Sequence, residues 1–384
     1  MLIRDVVAVL ESIAPLSFAE SWDRVGLLVG DESREVRGPV LLTIDLTPAV
    51  LDEAQRLGAG FVVSYHPPIW EPMSRMTAKN AGQRLILHAI ERGIAVYSPH
   101  TALDAVEGGI SDWLCEGLSG ADRAGRVAGD CRALVPHAER PASQEVKLVT
   151  FVPESDAEKV RHALATAGAG IIGAYTVCSF NTPGFGTFLG GSGSRPSVGV
   201  AGQLETVGEV RLEMVCSKAA LPLAIETLRR FHPYEEPAFD VYELLPKPRR
   251  TVGMGRRLVL DRPATMVELG RRLKAHLNTA TVLAAVPPGR VLEESMFSHI
   301  GVIPGAGASL MSSAIADHCE VFVTGEMKHH EVNELLRAGV AVLLGGHTPT
   351  ERGYLPRLAA QIEQRGLGLR AVVSATDRDP LIPV

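Results

Sequence analysis

Histidine and carboxylate side chains cluster in three short segments of the sequence, each directly after a predicted strand. The segments are SYHPP at 64–68, PHTALD at 99–104 and GHTPTE at 346–351. Their candidate metal ligands are His66, Asp104, His347 and Glu351. Two imidazoles and two carboxylates, without a thiolate, suit Zn, Fe, Mn, Co or Ni. Because ligands bind at the carboxyl ends of strands in an open parallel sheet, we expect these side chains to face one crevice if both chain ends share a sheet.

Glu351 is the candidate that could serve two ions. If Pro349 occupies the first helical turn, the Glu351 carboxylate can swing back toward His347, and a bridging carboxylate can hold two ions that activate water. Each candidate also has an ordinary alternative when it is taken alone. Glu351 fits a helix capping box, His66 fits a strand end, and Asp104 fits a turn. Their shared placement after strands favours the metal site.

A further group of ionisable residues lies in GEMKHHEV at 325–332. Its HExxE pattern resembles a zinc-protease helix, but that motif requires histidine where Glu334 stands, which argues against a metalloprotease. Glu326 and His330, together with His100, are therefore candidates for proton transfer or for support of the metal ligands. The alternative for 325–332 is a solvated helix start.

The glycine-rich segments predict no organic cofactor. GAGAS at 305–309 follows a strand and opens a helix, so its N–H groups could cradle an anion. It lacks the third glycine of a dinucleotide fingerprint, and the chain has no GxxxxGK[ST] pattern. Gly184 and Gly186 are expected in tight turns. HPYEEP at 232–237 is typical of a rigid turn, with a ligand or interface role as the alternative.

Strands and helices alternate at both ends of the chain. Apolar runs predict strands at 39–46, 61–66, 94–98, 299–305, 321–326, 340–346 and 369–375. Helical spacing and capping signals predict helices at 47–57, 78–92, 309–317, 328–338 and 350–365. This alternation is typical of a mostly parallel sheet that helices cover on both faces.

The middle of the chain has another order of elements. Strands are predicted at 146–151, 174–179, 197–202, 209–216 and 239–244, and helices at 155–167 and 219–231. This order approximates the split βαβ arrangement of ferredoxin-like folds. We therefore predict an α/β core, formed by 1–135 and 248–384, that is interrupted by an inserted α+β domain at 145–245. Three consecutive domains are the alternative on composition alone.

The composition limits the function classes. The 384 residues include 46% hydrophobic and 21% charged residues, which is typical of a globular protein. A net charge of −6 without a dense basic run argues against a sequence-specific nucleic-acid binder. Five scattered cysteines without a CxxC motif indicate reduced thiols in a cytoplasmic protein. No segment predicts a signal peptide or a membrane span.

Five segments together resemble one known family. They are SWDRVGLLVGD (21–31), SYHPPIW (64–70), HTALDAVEGGISD (100–112), TGEMKHHE (324–331) and GGHTPTERGYLP (345–356). In this order they resemble the Nif-three-like family of dinuclear-metal-centre proteins, often described as GTP cyclohydrolase I type 2 homologues. The resemblance covers about 1–130 and 250–384, and the middle resembles the PII/CutA-like insert of longer members.

The resemblance implies two divalent metal ions per chain. The ligands that it implies are His66, Asp104, His347 and a bridging Glu351. This chain departs from the family at one ligand, because Tyr65 stands where the first histidine of a His–His pair is usual. Either Tyr65 or His100 substitutes for that ligand, or one ion binds more weakly. The resemblance further implies a toroidal homohexamer whose metal sites face an internal cavity.

Two functions follow from the resemblance. The first is a metal-dependent hydrolase that acts on a nucleotide or a related small molecule, in the manner of GTP cyclohydrolase I type 2. The alternative is a metal-trafficking or regulatory protein that binds divalent metal and protein partners without turnover. Turnover on a substrate distinguishes the first from the second.

Overall fold

The chain divides into two compact units. The structure is a computed structural model that describes residues 1–123, 125–365 and 368–381. One unit, which we call the core unit, comprises Met1–His137 and Arg249–Val384, and the other, the inserted unit, comprises Ala138–Pro248. Among the described helices, none combines the length and the hydrophobicity that crossing a bilayer requires.

Fifteen strands and twelve α-helices are present in the described ranges. The strands are β1 Gly26–Val29, β2 Val40–Thr43, β3 Phe61–Ser64, β4 Ala95–Ser98, β5 Gly129–Glu139, β6 Val146–Pro153, β7 Phe180–Leu189, β8 Leu204–Cys216, β9 Phe239–Glu243, β10 Lys247–Thr265, β11 Leu283–Ala285, β12 Met296–Val302, β13 Val321–Thr324, β14 Ala341–Leu344 and β15 Ala371–Val373. The helices are α1 Ile3–Ile13, α2 Pro48–Leu57, α3 Ala81–Glu91, α4 His100–Ala105, α5 Ile110–Ser119, α6 Ala157–Thr166, α7 Leu221–Phe231, α8 Met266–Leu277, α9 Met311–Ala316, α10 His329–Arg337, α11 Pro349–Arg352 and α12 Leu355–Arg365.

A five-stranded sheet holds the first two histidine segments. Its strand order is β1-β4-β3-β2-β15, in which β4, β3, β2 and β15 run parallel and β1 is an antiparallel edge. Strands β2, β3 and β4 are short and buried on both faces, as continuous apolar runs predict. His66 follows the end of β3, and α4 begins at His100, two residues after the end of β4.

A six-stranded mixed sheet holds the third segment. Its order is β11-β14-β13-β12-β10-β5, with β12, β13 and β14 parallel. The expectation that both chain ends share one sheet is therefore only partly right. Strand β15 joins the amino-terminal sheet, but β12 to β14 belong to the second sheet. There β10 pairs with β12, and β5 pairs with the other edge of β10.

The two sheets of the core unit share one hydrophobic core. Their inner faces pack against α1, α5, α8 and α12, with residues such as Phe61 and Val63 from one sheet and Val321 and Val323 from the other in the same buried cluster. Separate apolar clusters lie under α2 and α3 and under α9 and α10. Both sheets are thus covered on both faces, which fixes the positions of the strand ends that carry the candidate ligands.

The local sequence signals for helices were largely correct. Thr47 caps α2 by accepting from the Val50 N–H, and Pro48 occupies its first turn, as predicted. The predicted helix at 350–365 is instead two helices, α11 and α12, which meet at Gly353. The short α11 matters for function because it holds Glu351.

The inserted unit has the predicted β-α-β-β-α-β order but with different inner strands. Its four-stranded antiparallel sheet runs β7-β8-β6-β9, with α6 and α7 packed on one hydrophobic cluster. The predicted strands at 174–179 and 197–202 were wrong. The strand that pairs with β8 is instead β7, which lies between these two segments. Gly184 and Gly186 lie within β7, opposite Glu209 and Val207, and not in tight turns. A cavity of about 640 Å³ lies on this unit and is lined by β7 and the 234–236 turn.

Candidate metal centre

The carboxylate of Glu351 lies between two imidazoles. Its Oε2 atom is 3.5 Å from His66 Nε2, and its Oε1 atom is 3.3 Å from His347 Nε2. Potential ligand atoms of the three residues all lie within 4.8 Å of one another. The structure therefore brings together three of the four predicted ligands, from two different sheets.

Each of these imidazoles is oriented by a second carboxylate. His66 Nδ1 lies 2.9 Å from Asp45 Oδ1, and His347 Nδ1 lies 2.9 Å from Glu326 Oε1. A proton held on Nδ1 by the carboxylate leaves the Nε2 lone pair free, which is the arrangement of histidine ligands in metal sites. Both Nε2 atoms lie on the side of Glu351.

The environment of Glu351 fits a cation. The side chain is only 3% exposed, and its Oε2 atom is buried without a hydrogen-bond partner among the described residues. A buried carboxylate oxygen in this state is costly unless a cation or donor compensates it. Thr348 precedes α11 but makes no side-chain cap, so the capping-box alternative is wrong. The nitrogen and oxygen donors present suit Zn, Fe, Mn, Co or Ni.

Asp104, the fourth predicted ligand, bonds to Tyr65. The Tyr65 hydroxyl donates to Asp104 Oδ1 over 2.7 Å, and both side chains are buried. Burial raises the pKa of the Asp104 carboxyl to about 7. Asp104 is not among the three residues whose ligand atoms converge in the described chain. Tyr65, which stands where the resemblance implies an imidazole, thus engages one oxygen of the Asp104 carboxylate.

The electrostatics of the three-residue cluster are dominated by carboxylates. Burial lowers the pKa of the His66 imidazole, but the hydrogen bond to Asp45 and the negative charges of Glu351 and Asp45 outweigh this effect and raise the pKa to about 10. The hydrogen bond from His66 in turn lowers the pKa of Asp45. A negative potential that holds a proton on an imidazole also attracts a divalent cation.

His100 lies beside this cluster and is held by Asp23. Its Nδ1 atom is 2.9 Å from both Asp23 carboxylate oxygens, and its ring centroid is 5.5 Å from that of His66. The His100 backbone has a φ of +27°, which is unusual for a residue other than glycine. Backbone strain of this kind is concentrated at functional sites. His100 is therefore a positioned imidazole with its Nε2 atom unused by Asp23.

The segment at 325–332 contributes one residue to the site. Glu326 holds His347, as described above, while His330 is exposed at the start of α10. Glu331 caps that helix by accepting from the Lys328 N–H. His329 bonds to Asn333 one turn later.

The GAGAS loop supports the site and does not present free amides at the two glycines. The Gly305 N–H donates to Thr350 Oγ1, and the Gly307 N–H donates to Thr324 Oγ1. These amides are used inside the protein, so the suggested anion cradle is not supported at either glycine. The backbone of Gly305 lies directly against Glu351 and His347.

Comparisons with known proteins identify the family. The family model described as Duf34/NIF3 (NGG1p interacting factor 3) matches residues 1–380. The chain belongs to the Duf34/NIF3 family. The resemblance found in the five sequence segments is confirmed.

Other Duf34/NIF3 proteins match over nearly the whole chain. A "GTP cyclohydrolase 1 type 2 homolog" from Halalkalibacterium halodurans is 31% identical over 380 residues, 98% of this chain and 97% of that protein. "NIF3-like protein 1" from Bos taurus is 32% identical over 98% of this chain and 92% of its own length. The crystal structure of Staphylococcus aureus protein SA1388 has a TM-score of 0.73 and 25% identity, and covers 100% of this chain and 99% of that one.

Sequence reasoning missed two carboxylates of this Duf34/NIF3 site. Asp45 follows β2 by two residues, and Asp23 lies in the SWDRVG segment, ahead of β1. The signal for Asp45 was its place at the same sheet edge as His66. Asp23 had no comparable signal, because it does not follow a parallel strand. Its partner His100 is 77 positions away in the sequence.

Proposed function

We propose that this Duf34/NIF3 protein binds two divalent metal ions and is a metal-dependent hydrolase that acts on a nucleotide or a related substrate. One observation carries the proposal: a buried carboxylate, Glu351, lies between two imidazoles whose Nδ1 atoms are held by carboxylates. The names of relatives as GTP cyclohydrolase 1 type 2 homologs support the substrate class. The proposed ligands are His66, Asp104, His347 and a bridging Glu351.

The chain's own residues have distinct roles in this proposal. Ions bound there would supply Lewis acidity toward a substrate oxygen and toward water. Asp45 and Glu326 keep the two imidazoles turned toward Glu351. His100, held by Asp23, moves a proton through its Nε2 atom. His330 is exposed at the start of α10, and we propose it only as a second proton-transfer group.

The test measures metal content and turnover in the same preparations. Protein stripped with a chelator is reloaded with Zn²⁺ or Mn²⁺, passed over a desalting column, analysed for metal and incubated with GTP. In the wild type we expect two ions per chain and metal-dependent formation of product. In His347→Ala we expect loss of bound metal and loss of product formation. His162→Ala, which removes an exposed histidine of the inserted unit, is the matched control and should behave as wild type.

Two outcomes would contradict the proposal at different levels. Metal content unchanged in His347→Ala would mean that the ligands are wrongly assigned. Full metal content without turnover of GTP or of other nucleotides would overturn the hydrolase and leave the metal site. The two readouts therefore separate binding from catalysis.

One observation favours metal trafficking as the second candidate function. The residues around the cluster are open to solvent, with side-chain exposures of 31% for His347, 39% for Asp45 and 56% for Glu326. Such a site exchanges ions more readily than an enclosed one. Rapid transfer of bound Zn²⁺ to a competing chelator, together with absence of turnover, would favour this function over hydrolysis.

We also propose a toroidal homohexamer, which the family resemblance implies. Light scattering coupled to gel filtration should then give six times the chain mass of 41.0 kDa. A stable monomer at micromolar concentration would contradict the assembly. It would leave the metal-site proposal intact, because His66, His347 and Glu351 all come from one chain.

A further inference from the structure

Two of the three tryptophans lie together on the surface of the core unit. Trp22 is 52% exposed and Trp70 is 51% exposed, and their ring centroids are 5.8 Å apart with an angle of 52° between the planes. Trp113, by contrast, is buried and packs against His276. Contiguous exposed apolar surface, unlike single exposed side chains, marks binding sites.

Both indoles contact the imidazole that the proposed mechanism uses for proton transfer. The ring centroid of His100 is 6.1 Å from that of Trp22 and 5.8 Å from that of Trp70, and both pairs meet edge to face. His100 in turn lies 5.5 Å from the His66 ring. The tryptophan pair is therefore continuous with the metal cluster through His100.

The local sequence fixes this juxtaposition. Trp22 directly precedes Asp23, whose carboxylate holds His100, and Trp70 lies four residues after His66, beyond Pro67-Pro68. Each indole is thus tethered to a residue that belongs to the site.

We propose that Trp22 and Trp70 form a stacking platform for the planar nitrogen heterocycle of the substrate, such as a purine base. The inference rests on the proposed function and deepens it by naming the substrate group that is recognised. Aromatic side chains bind bases through their π-faces without reading their sequence. A base seated here lies next to His100. The heterocycle of the nucleotide, and not only its phosphate groups, is then near the reacting groups.

The spacing of the indoles decides how the ring is held. A ring inserted between two parallel indoles needs a gap of about 7 Å, since each aromatic contact takes about 3.5 Å. The two centroids are only 5.8 Å apart and the planes are tilted, so the pair forms a corner. The heterocycle stacks on one indole and meets the edge of the other, and loss of either should weaken its binding.

The experiment compares two probes that differ only in the heterocycle. Guanosine monophosphate and ribose 5-phosphate are titrated by calorimetry into the metal-loaded full chain and its Trp22→Leu and Trp70→Leu variants. We expect each substitution to weaken guanosine monophosphate binding about tenfold and to leave ribose 5-phosphate binding and metal content unchanged. Trp70→Phe should recover part of the loss. Tyr175→Leu removes an exposed aromatic residue of the inserted unit and is the control.

Three results would overturn the platform. These are equal affinity of the wild type for the two probes, variants that keep the wild-type affinity for guanosine monophosphate within twofold, and a change in oligomer mass without a change in nucleotide affinity. The last would make the pair an interface between copies of the chain. If heterocycle binding behaves as expected but no metal-dependent turnover occurs, the hydrolase proposal fails and the platform stands.

Discussion

Replacement of Gly305 by alanine is expected to weaken metal binding while the fold is retained. Gly305 has a φ of +59°, and a Cβ atom added there would lie against Glu351 Oε1 at a distance that real Cβ atoms do not show. The next nearest atom is His347 Nε2, at 3.2 Å. Because the Glu351 carboxylate is the end of a flexible side chain, it can retreat and so leave its place between the two imidazoles.

The expected magnitude follows from a matched glycine on the same unit. Gly339 also has a positive φ, +80°, but an added Cβ atom would meet nothing within 4 Å. Both alanine substitutions cost about 1–2 kcal/mol of unfolding free energy through left-handed backbone strain. Only Gly305→Ala also displaces a proposed ligand, and a displaced carboxylate should lower metal affinity about 10- to 100-fold.

The assay is calorimetric titration of Zn²⁺ into both variants after chelator treatment, with urea unfolding as the check on folding. Gly339→Ala should bind Zn²⁺ within about twofold of the wild type. If Gly305→Ala binds as tightly as Gly339→Ala, the reasoning that Glu351 must occupy its observed position is refuted. A comparable unfolding free energy in the two variants would show that weaker Zn²⁺ binding by Gly305→Ala is not an effect of misfolding.

Two further predictions concern stability. Arg256→Met removes a buried guanidinium that donates to Asp112 and to five backbone carbonyls, and should cost about 3–5 kcal/mol in urea unfolding, whereas the exposed Arg271→Met should cost less than about 1 kcal/mol. Burial raises the pKa of Glu53, but hydrogen bonds from residues 374–376 outweigh this and lower it from 4.5 to about 2. Because the folded-state pKa is depressed, Glu53 stabilises the fold by about 3 kcal/mol above pH 4.5, and its contribution disappears as the pH falls toward 2. The difference in unfolding free energy between wild type and Glu53→Gln should therefore narrow over that pH range, and a constant difference would contradict the assignment.

The sequence signals for the fold were reliable where local chemistry and tertiary packing agree. The buried strands β2, β3 and β4 are continuous apolar runs, and α2 has both its threonine cap and its first-turn proline. In the inserted unit they disagree, since β7 contains Pro183, Gly184 and Gly186, residues that argue against a strand. Pairing with β8 along ten residues overrides that local preference. No property of 180–189 taken alone would have predicted it.

The site itself follows a rule that the sequence could have supplied. Asp45 and His66 are 21 positions apart, and Glu326 and His347 are also 21 positions apart. In each pair the carboxylate follows one strand and the histidine follows the next parallel neighbour, β2 and β3 in one sheet and β13 and β14 in the other. One strand–helix–strand unit separates the two residues, so adjacent strand ends bring them within hydrogen-bond distance. For His66 and His347 the orienting carboxylate thus lies after the preceding parallel strand, and Asp45 could have been found in this way.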